Sequence, residues 1–399
     1  MIPWLGRQCD YYTVLQRLML GGLLCCTGCS LPYYAQAIHG QWALETSTRP
    51  ITAVLHDPTA SVALKNRLRY VLLVRRFARR DLALPLHQNY RDYANLHRPY
   101  VVWNVVAAPR LHLTLKRWCF PIAGCVSYRG YFHASAAHAY AATLRAQGYD
   151  TYVAGVPAYA TLGYLHDPVL NTFLDYPRTT IAHIIFHELS HDLLYIPNAT
   201  LFDESFADTV ADVGVHRFLR RYGSPADNAR YRRRRRRQHA VTEALQQCQN
   251  HLMQIYHSKI SHAQKLKAKQ AAFIALREHF QALAQQWGGD HGYRAFFNQP
   301  FNNAVLGAYS NYKSLVPALR RLLRLENGNL RAFYVAARWY GQLPRILRNQ
   351  ALRTRTDIVR RWPTVHPTQR VRYPIKSRLN TRLSLKRPGL ASTIYYRSH

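Results

Sequence analysis

The sequence predicts an α+β protein with a small mixed β-sheet, a helix carrying paired histidines, and a mainly helical C-terminal part. Three observations carry this expectation. Before residue 177, runs rich in β-branched and aromatic residues alternate with helical patterns. A helical stretch starting near Pro177 and ending before Pro197 contains His187-Glu188-Leu189-Ser190-His191, and a second helix follows it to about Gly223. Beyond that glycine a long polar helical pattern runs to about Gln285.

Size and composition bound the answer. The 399 residues are 48% hydrophobic and 12% aromatic, enough for a sizeable core. Fifty-four Lys+Arg against twenty Asp+Glu give a formal charge of +34, which speaks to anionic partners rather than to fold. No apolar run approaches the ~20 residues that span a bilayer as a helix.

The elements follow in order. Arg7 and Arg17 precede the short apolar stretch Leu18–Cys26, of signal-peptide length. It ends in Cys26-Thr27-Gly28-Cys29, which resembles the bacterial lipobox, except that Cys26 stands where Leu is usual. That resemblance implies lipidation of Cys29, and Ser30 after it implies an outer-membrane anchor facing the periplasm. An ordinary cleaved signal, or a helix with incidental thiols, is the alternative. Residues 30–58 read as mixed and turn-rich. Leu64, Leu68, Val71 and Leu72 alternate with basic residues to give an amphipathic helix over Thr59–Arg80. Strands are expected at Tyr100–Val106, across Cys119–Phe132 with breaks at Pro121 and Gly124, and at Tyr152–Val156, with an Ala-rich helix over Ser135–Gln147. In an exported protein Cys119 and Cys125 could form a disulfide; two thiols on neighbouring strand positions are the other reading.

The paired histidines carry the chemistry. Residues four apart share a helix face, so the imidazoles of His187 and His191 can reach one metal ion, with Glu188 beside them. A shuffled chain of this composition contains such a motif in only about 1.5% of trials. Glu188, Asp192, Asp203, Glu204, Asp208 and Asp212 gather six of the twenty acids within 25 residues. A chain this basic has no solubility reason for that cluster, whereas a cation site does. A catalytic zinc takes three protein ligands and leaves a position for water, whose pKa it lowers to ~7. His187, His191 and Glu204 form such a set for one zinc ion, as in the thermolysin type, with Glu188 as general base. Asp208, one turn after Glu204, could accept a hydrogen bond from a ligand imidazole, or rival Glu204 as third ligand. Asp203 reads as the N-cap of its helix. Asp212 reads as too distant and His183 as a flanking histidine, since His191 lies about 12 Å from it along the axis.

The stretch from about Tyr93 to Gly214 resembles the predicted aminopeptidase family of bacterial lipoproteins, in the zincin-like (gluzincin) metallopeptidase clan. The matching pieces are Tyr100–Val105, Trp118–Cys125, Tyr128–Phe132, Ala158–Tyr164, Asp167–Leu170, Phe186–His191 and Glu204–Ala207, with Asp203 where the family usually has Asn. A weaker match continues at Asn302–Ala304, Tyr312 and Val316-Pro317. The resemblance implies a zincin-like metallopeptidase fold with helices after the metal site, and a peptide substrate. An aminopeptidase must also hold a free amine; Asp167 is the candidate, with a turn residue before Pro168 as the alternative. Tyr312 or Tyr309 is the candidate donor to the oxygen that gains charge.

The basic segments stand apart. Arg232–Arg237 is a run of six arginines opening a helical hairpin beside the site. From Arg345 onward fourteen Lys/Arg face one acid, Asp357, among several prolines. Residues 346–399 therefore read as an extended or disordered tail that adheres to an anionic membrane or lipopolysaccharide, or as solvated charge without a dedicated partner. No helix-turn-helix or RNP-type pattern points to nucleic acid. The expected organisation is a signal segment over 1–28, a catalytic region over 29–222, a helical region over 223–345 and the tail. Two functions are open: a zinc peptidase of the cell envelope, or a non-catalytic basic envelope lipoprotein on a relic zincin fold.

Overall fold

The computed structural model describes residues 31–120, 124–162, 165–289, 293–310 and 314–353. The expected signal segment with Cys29, the candidate Tyr312 and the tail from residue 354 lie outside the described residues.

Helix α1 (Leu31–Thr46) leads to strand β1 (Thr48–Pro50) and the short helix α2 (Ile51–His56). The stretch read as turn-rich is thus largely helical, and tertiary contacts explain why. Tyr33 stacks on Phe120, and Gly40 lies so close to Phe132 that an added Cβ would meet its ring at 2.1 Å. Helix α3 (Val62–Asp81) begins where the Ser61 hydroxyl accepts from the Leu64 N–H, and buries Leu68, Val71, Val74 and Phe77 as its periodicity requires.

Next come β2 (Asp92–Ala94), β3 (Val102–Pro109), β4 (Trp118–Phe120), β5 (Gly124–Val126), β6 (Arg129–Tyr131), helix α4 (Ala134–Ala146), β7 (Tyr149–Val156) and β8 (Val169–Leu170). The described strands form three small sheets rather than one mixed sheet. The order β1-β2-β8 combines an antiparallel and a parallel pairing; β6-β3-β7 is antiparallel throughout; β4-β5 is a two-stranded ribbon. In the second sheet β3 and β7 pair over eight positions, from Val102↔Val156 to Pro109↔Tyr149. Cys119 and Cys125 face each other across β4-β5 in a disulfide.

The remainder is helical: α5 (Asn171–Leu174), α6 (Arg178–Leu193), α7 (Thr200–Tyr222), α8 (Pro225–His257), α9 (His262–Gln286), α10 (Arg294–Asn298), α11 (Asn303–Ser310), α12 (Val316–Leu325), α13 (Leu330–Gln342) and α14 (Arg345–Arg353). The last of these corrects the expectation of an extended chain from residue 346, because Ala351 and Leu352 are buried in the main core. The expected hairpin is α8-α9. Its start is fixed by a reciprocal cap between Ser224 and Asp227, and it closes through Leu252, Phe273, Leu276 and Phe280.

The main core joins α3, α6, α7, α12 and α13. Phe77 stands edge-on to Phe218 at 5.2 Å, with Phe186 of α6 beside both. Gly214 lets α7 approach α6, since a Cβ there would lie 2.6 Å from Phe186 and 2.7 Å from Leu82. Gly214→Val should therefore cost about 1–3 kcal/mol by overpacking, read as a lower urea midpoint. An unchanged midpoint would contradict this close approach.

Candidate metal centre

Helix α6 begins after Pro177, whose fixed φ suits a helix start, and ends where Leu194 turns extended. From Ile184 to His191 every residue is buried. The 3.6-residue turn sets His183, His187 and His191 in one row, with Glu188 a step round the helix. Helix α7 starts earlier than the sequence suggests. Ala199, not Asp203, is its N-cap, because the connection from α6 is short and needs the Asp203 carboxylate itself. That carboxylate accepts from the Ile196 N–H at 2.9 Å and so closes the connection. The turn places Glu204 opposite the histidine row.

The ligand atoms converge. The Nε2 atoms of His187 and His191 are 3.1 Å apart. Glu204 reaches them with Oε2 at 3.3 Å and Oε1 at 3.8 Å respectively. Atoms bound ~2.0–2.2 Å from a tetrahedral ion stand roughly 3.3–3.5 Å from each other, so the three groups fit one divalent cation. Asp208 meets His187 on its other nitrogen, Oδ1 to Nδ1 at 3.1 Å. That contact holds the proton on Nδ1 and leaves the Nε2 lone pair for a metal. Burial alone would keep His187 neutral, but Asp208 and Glu204 outweigh it and raise its pKa.

Glu188 is 1% exposed, and among the described residues neither of its carboxylate oxygens has a hydrogen-bond partner. Burial pushes its pKa well up; His187 opposes, while the carboxylates of Glu204, Asp167 and Asp192 add to the rise. A buried acid without partners is costly unless a cation or a water completes its surroundings.

Behind the ligands runs a polar relay that the sequence reading did not assemble. His183 Nε2 lies 3.3 Å from Asp212 and 3.9 Å from Asp208. Asp212 in turn accepts from Arg235 at 2.7 Å and from Arg320 at 2.6 Å. Its pKa is held at about 2: burial would raise it, and Arg235 and His183 outweigh burial. One arginine of the basic run thus ties the α8-α9 hairpin to the site. The signal in the sequence was the i, i+4 series Glu204, Asp208, Asp212 facing the series His183, His187, His191.

Asp167 is buried near Glu188. Both its oxygens accept from the Thr161 N–H at 3.1 Å, and its own N–H donates to Asn89 at 2.9 Å. Asn89 also donates to Asp192 at 2.5 Å, so it spans two acids of the cluster. Tyr90, beside them, is buried with φ +59°, a left-handed conformation that costs an ordinary residue about 1–3 kcal/mol. Its phenol is raised by burial and by the carboxylates of Glu188, Asp167 and Asp192. No periodicity or motif marks Asn89 and Tyr90. Tyr195 stands edge-on to His191 with ring centres 6.4 Å apart, half-buried and raised by burial and by Asp203 and Glu204. Tyr309 packs instead on Phe296 and against Tyr152.

Burial raises the Asp167 pKa to about 7, against the lowering effect of the Thr161 bonds. A raised pKa favours the protonated folded state, so this contribution is complete below about 3.8 and is lost as pH rises through about 7. Asp167→Asn should gain stability relative to the parent between pH 4 and pH 8 in urea titrations. A difference independent of pH would contradict it.

Three comparisons with known proteins bear on this arrangement. No curated protein and no solved structure matches the chain. The family model described as "putative aminopeptidase" matches residues 32–352, most of the chain and all of the groups above. The chain belongs to that family, whose description suggests a peptidase acting on peptides.

Proposed function

We propose that the protein is a zinc-dependent peptidase of zincin-like fold that releases residues from peptide N-termini at the cell envelope. The observation that carries this reading is the juxtaposition of a buried, unpartnered Glu188 with three convergent ligand groups. His187 and His191 would hold the ion through Nε2 and Glu204 through its carboxylate. Zinc there would supply Lewis acidity, activating water and polarising the peptide carbonyl. Glu188 takes a proton from the attacking water and passes it to the leaving nitrogen as the C–N bond breaks. Its dry surroundings raise its affinity for that proton. Tyr195 fills the role assigned from sequence to Tyr312, donating to the carbonyl oxygen as negative charge grows there. Asp208 keeps His187 in one tautomer and orientation. Asp167 and Asp192 make that side of the site acidic, which favours a protonated amino terminus over a blocked one.

For location, the lipobox-like Cys29 and the basic tail support a lipid-anchored protein of the outer membrane, facing the periplasm and touching anionic headgroups.

Paired fluorogenic peptides, with free and with blocked amino termini, test the reading. The parent should cleave only the free-amine peptides and stop when a chelator removes zinc. Glu188→Gln should retain zinc and lose at least ~100-fold in kcat, and Tyr195→Phe should lose ~10–100-fold with zinc intact. Full turnover by Glu188→Gln would overturn the mechanism, and equal cleavage of blocked peptides would overturn the aminopeptidase assignment.

A further inference from the structure

Helix α1 is apolar on two sides. Its inner side is held firmly: Tyr33 packs on Phe120 and Tyr131, Gln36 accepts from the Phe132 N–H, and Leu44 is buried. These contacts leave no freedom to rotate the helix. Its outer side carries Leu31, Ile38 and Trp42, which are 66%, 41% and 56% exposed. The spacings of seven and four residues put all three on one stripe, with the exposed Ala35 between them.

The charge pattern is equally uneven. In a chain with 54 Lys+Arg, none falls between Arg17 and Arg49. The outer stripe therefore carries no basic group, and its one charge is Glu45 at the C-terminal end, which accepts from Gln41 at 3.0 Å. A nucleic acid or an acidic protein has no cation to hold there.

The start of the helix selects the occupant. Leu31 lies two residues after Cys29, so even a fully extended connection separates them by only ~7 Å. A lipid on Cys29 would bring the first exposed leucine to the depth of the headgroups, with Ile38 and Trp42 following along the same line. Tryptophan is favoured at that interface, where its ring meets hydrocarbon and its N–H meets water.

We propose that the Leu31/Ile38/Trp42 stripe of α1 lies in the interfacial layer of a lipid bilayer and holds the folded body against the membrane in one orientation. This rests on the lipid-anchored location given above and not on the peptidase reading. The lipid gives attachment; the stripe gives orientation, because α1 is clamped to the β6 and β4 strands by the contacts already named.

The test is depth-dependent quenching of Trp42 in the full-length lipoprotein, reconstituted into phosphatidylethanolamine/phosphatidylglycerol vesicles with brominated acyl chains. The mass of the N-terminal peptide reports separately whether Cys29 carries lipid. The parent should lose emission that the Trp42→Phe variant does not have to lose, and that component should be at least fivefold less accessible to aqueous acrylamide in vesicles than in lipid-free solution. Leu31→Ser with Ile38→Ser should restore acrylamide access while leaving peptide cleavage unchanged. An identical quenched fraction in parent and Trp42→Phe would overturn the proposal. So would shielding of Trp42 in lipid-free solution together with a dimer mass, which would make the stripe a contact between copies of this chain.

Discussion

The structure depends on the cost of burying carboxylates. Six acids lie between Glu188 and Asp212, and Glu188, Asp203, Asp208 and Asp212 are buried there. Isolated in a low-dielectric interior each would be expensive, and together they repel one another. Each is offset differently. Asp212 faces two guanidinium groups, Asp208 faces two imidazoles, and Asp203 takes a backbone N–H. Glu188 has no such hydrogen-bond partner among the described residues, and Glu204 lies with the two Nε2 atoms around one common point. A divalent cation at that point, as proposed above, would supply the charge that completes the set.

The outlying parts of the chain act on this centre through α6 and α7. Helix α3 and Gly214 set how closely the two helices approach, and therefore how Glu204 meets the histidines. From the other side Arg235 of α8 and Arg320 of α12 converge on Asp212, which meets His183. The relay then passes through Asp208 to His187. A run of arginines that reads as surface charge in one dimension thus contributes Arg235 to Asp212 and Arg234 to Thr180 of α6, while Arg232, Arg233 and Arg236 stay exposed.

What was legible in the sequence was local. The spacing within His187–His191 and the acids one turn apart on α7 required only helical geometry, and α6 lies where the pattern put it. The amphipathic α3, the β3 and β7 strands and the Ala-rich α4 were equally local. What escaped was decided by contacts between distant segments. Helix α1 has a turn-like composition and is made helical by packing on Phe120 and Phe132. Asp203 looked like a cap but serves the preceding connection, a distinction of four residues that no propensity resolves. Asn89 and Tyr90 reach the acid cluster from a stretch with no periodicity, and Tyr90 does so in a backbone conformation that its residue type disfavours. Tyr195 sits just past the end of α6, four residues after His191, and its ring stands edge-on to that imidazole although the backbone has turned extended at Leu194.

X-ray absorption at the zinc edge, on protein dialysed against stoichiometric zinc, tests the central claim most directly. The account predicts about one ion per chain, with about four nitrogen or oxygen neighbours near ~2.0 Å and scattering from two imidazoles. Glu204→Ala should hold zinc at least ~10-fold more weakly, since a water would replace the carboxylate. Failure to retain zinc, or an unchanged zinc affinity in Glu204→Ala, would contradict it.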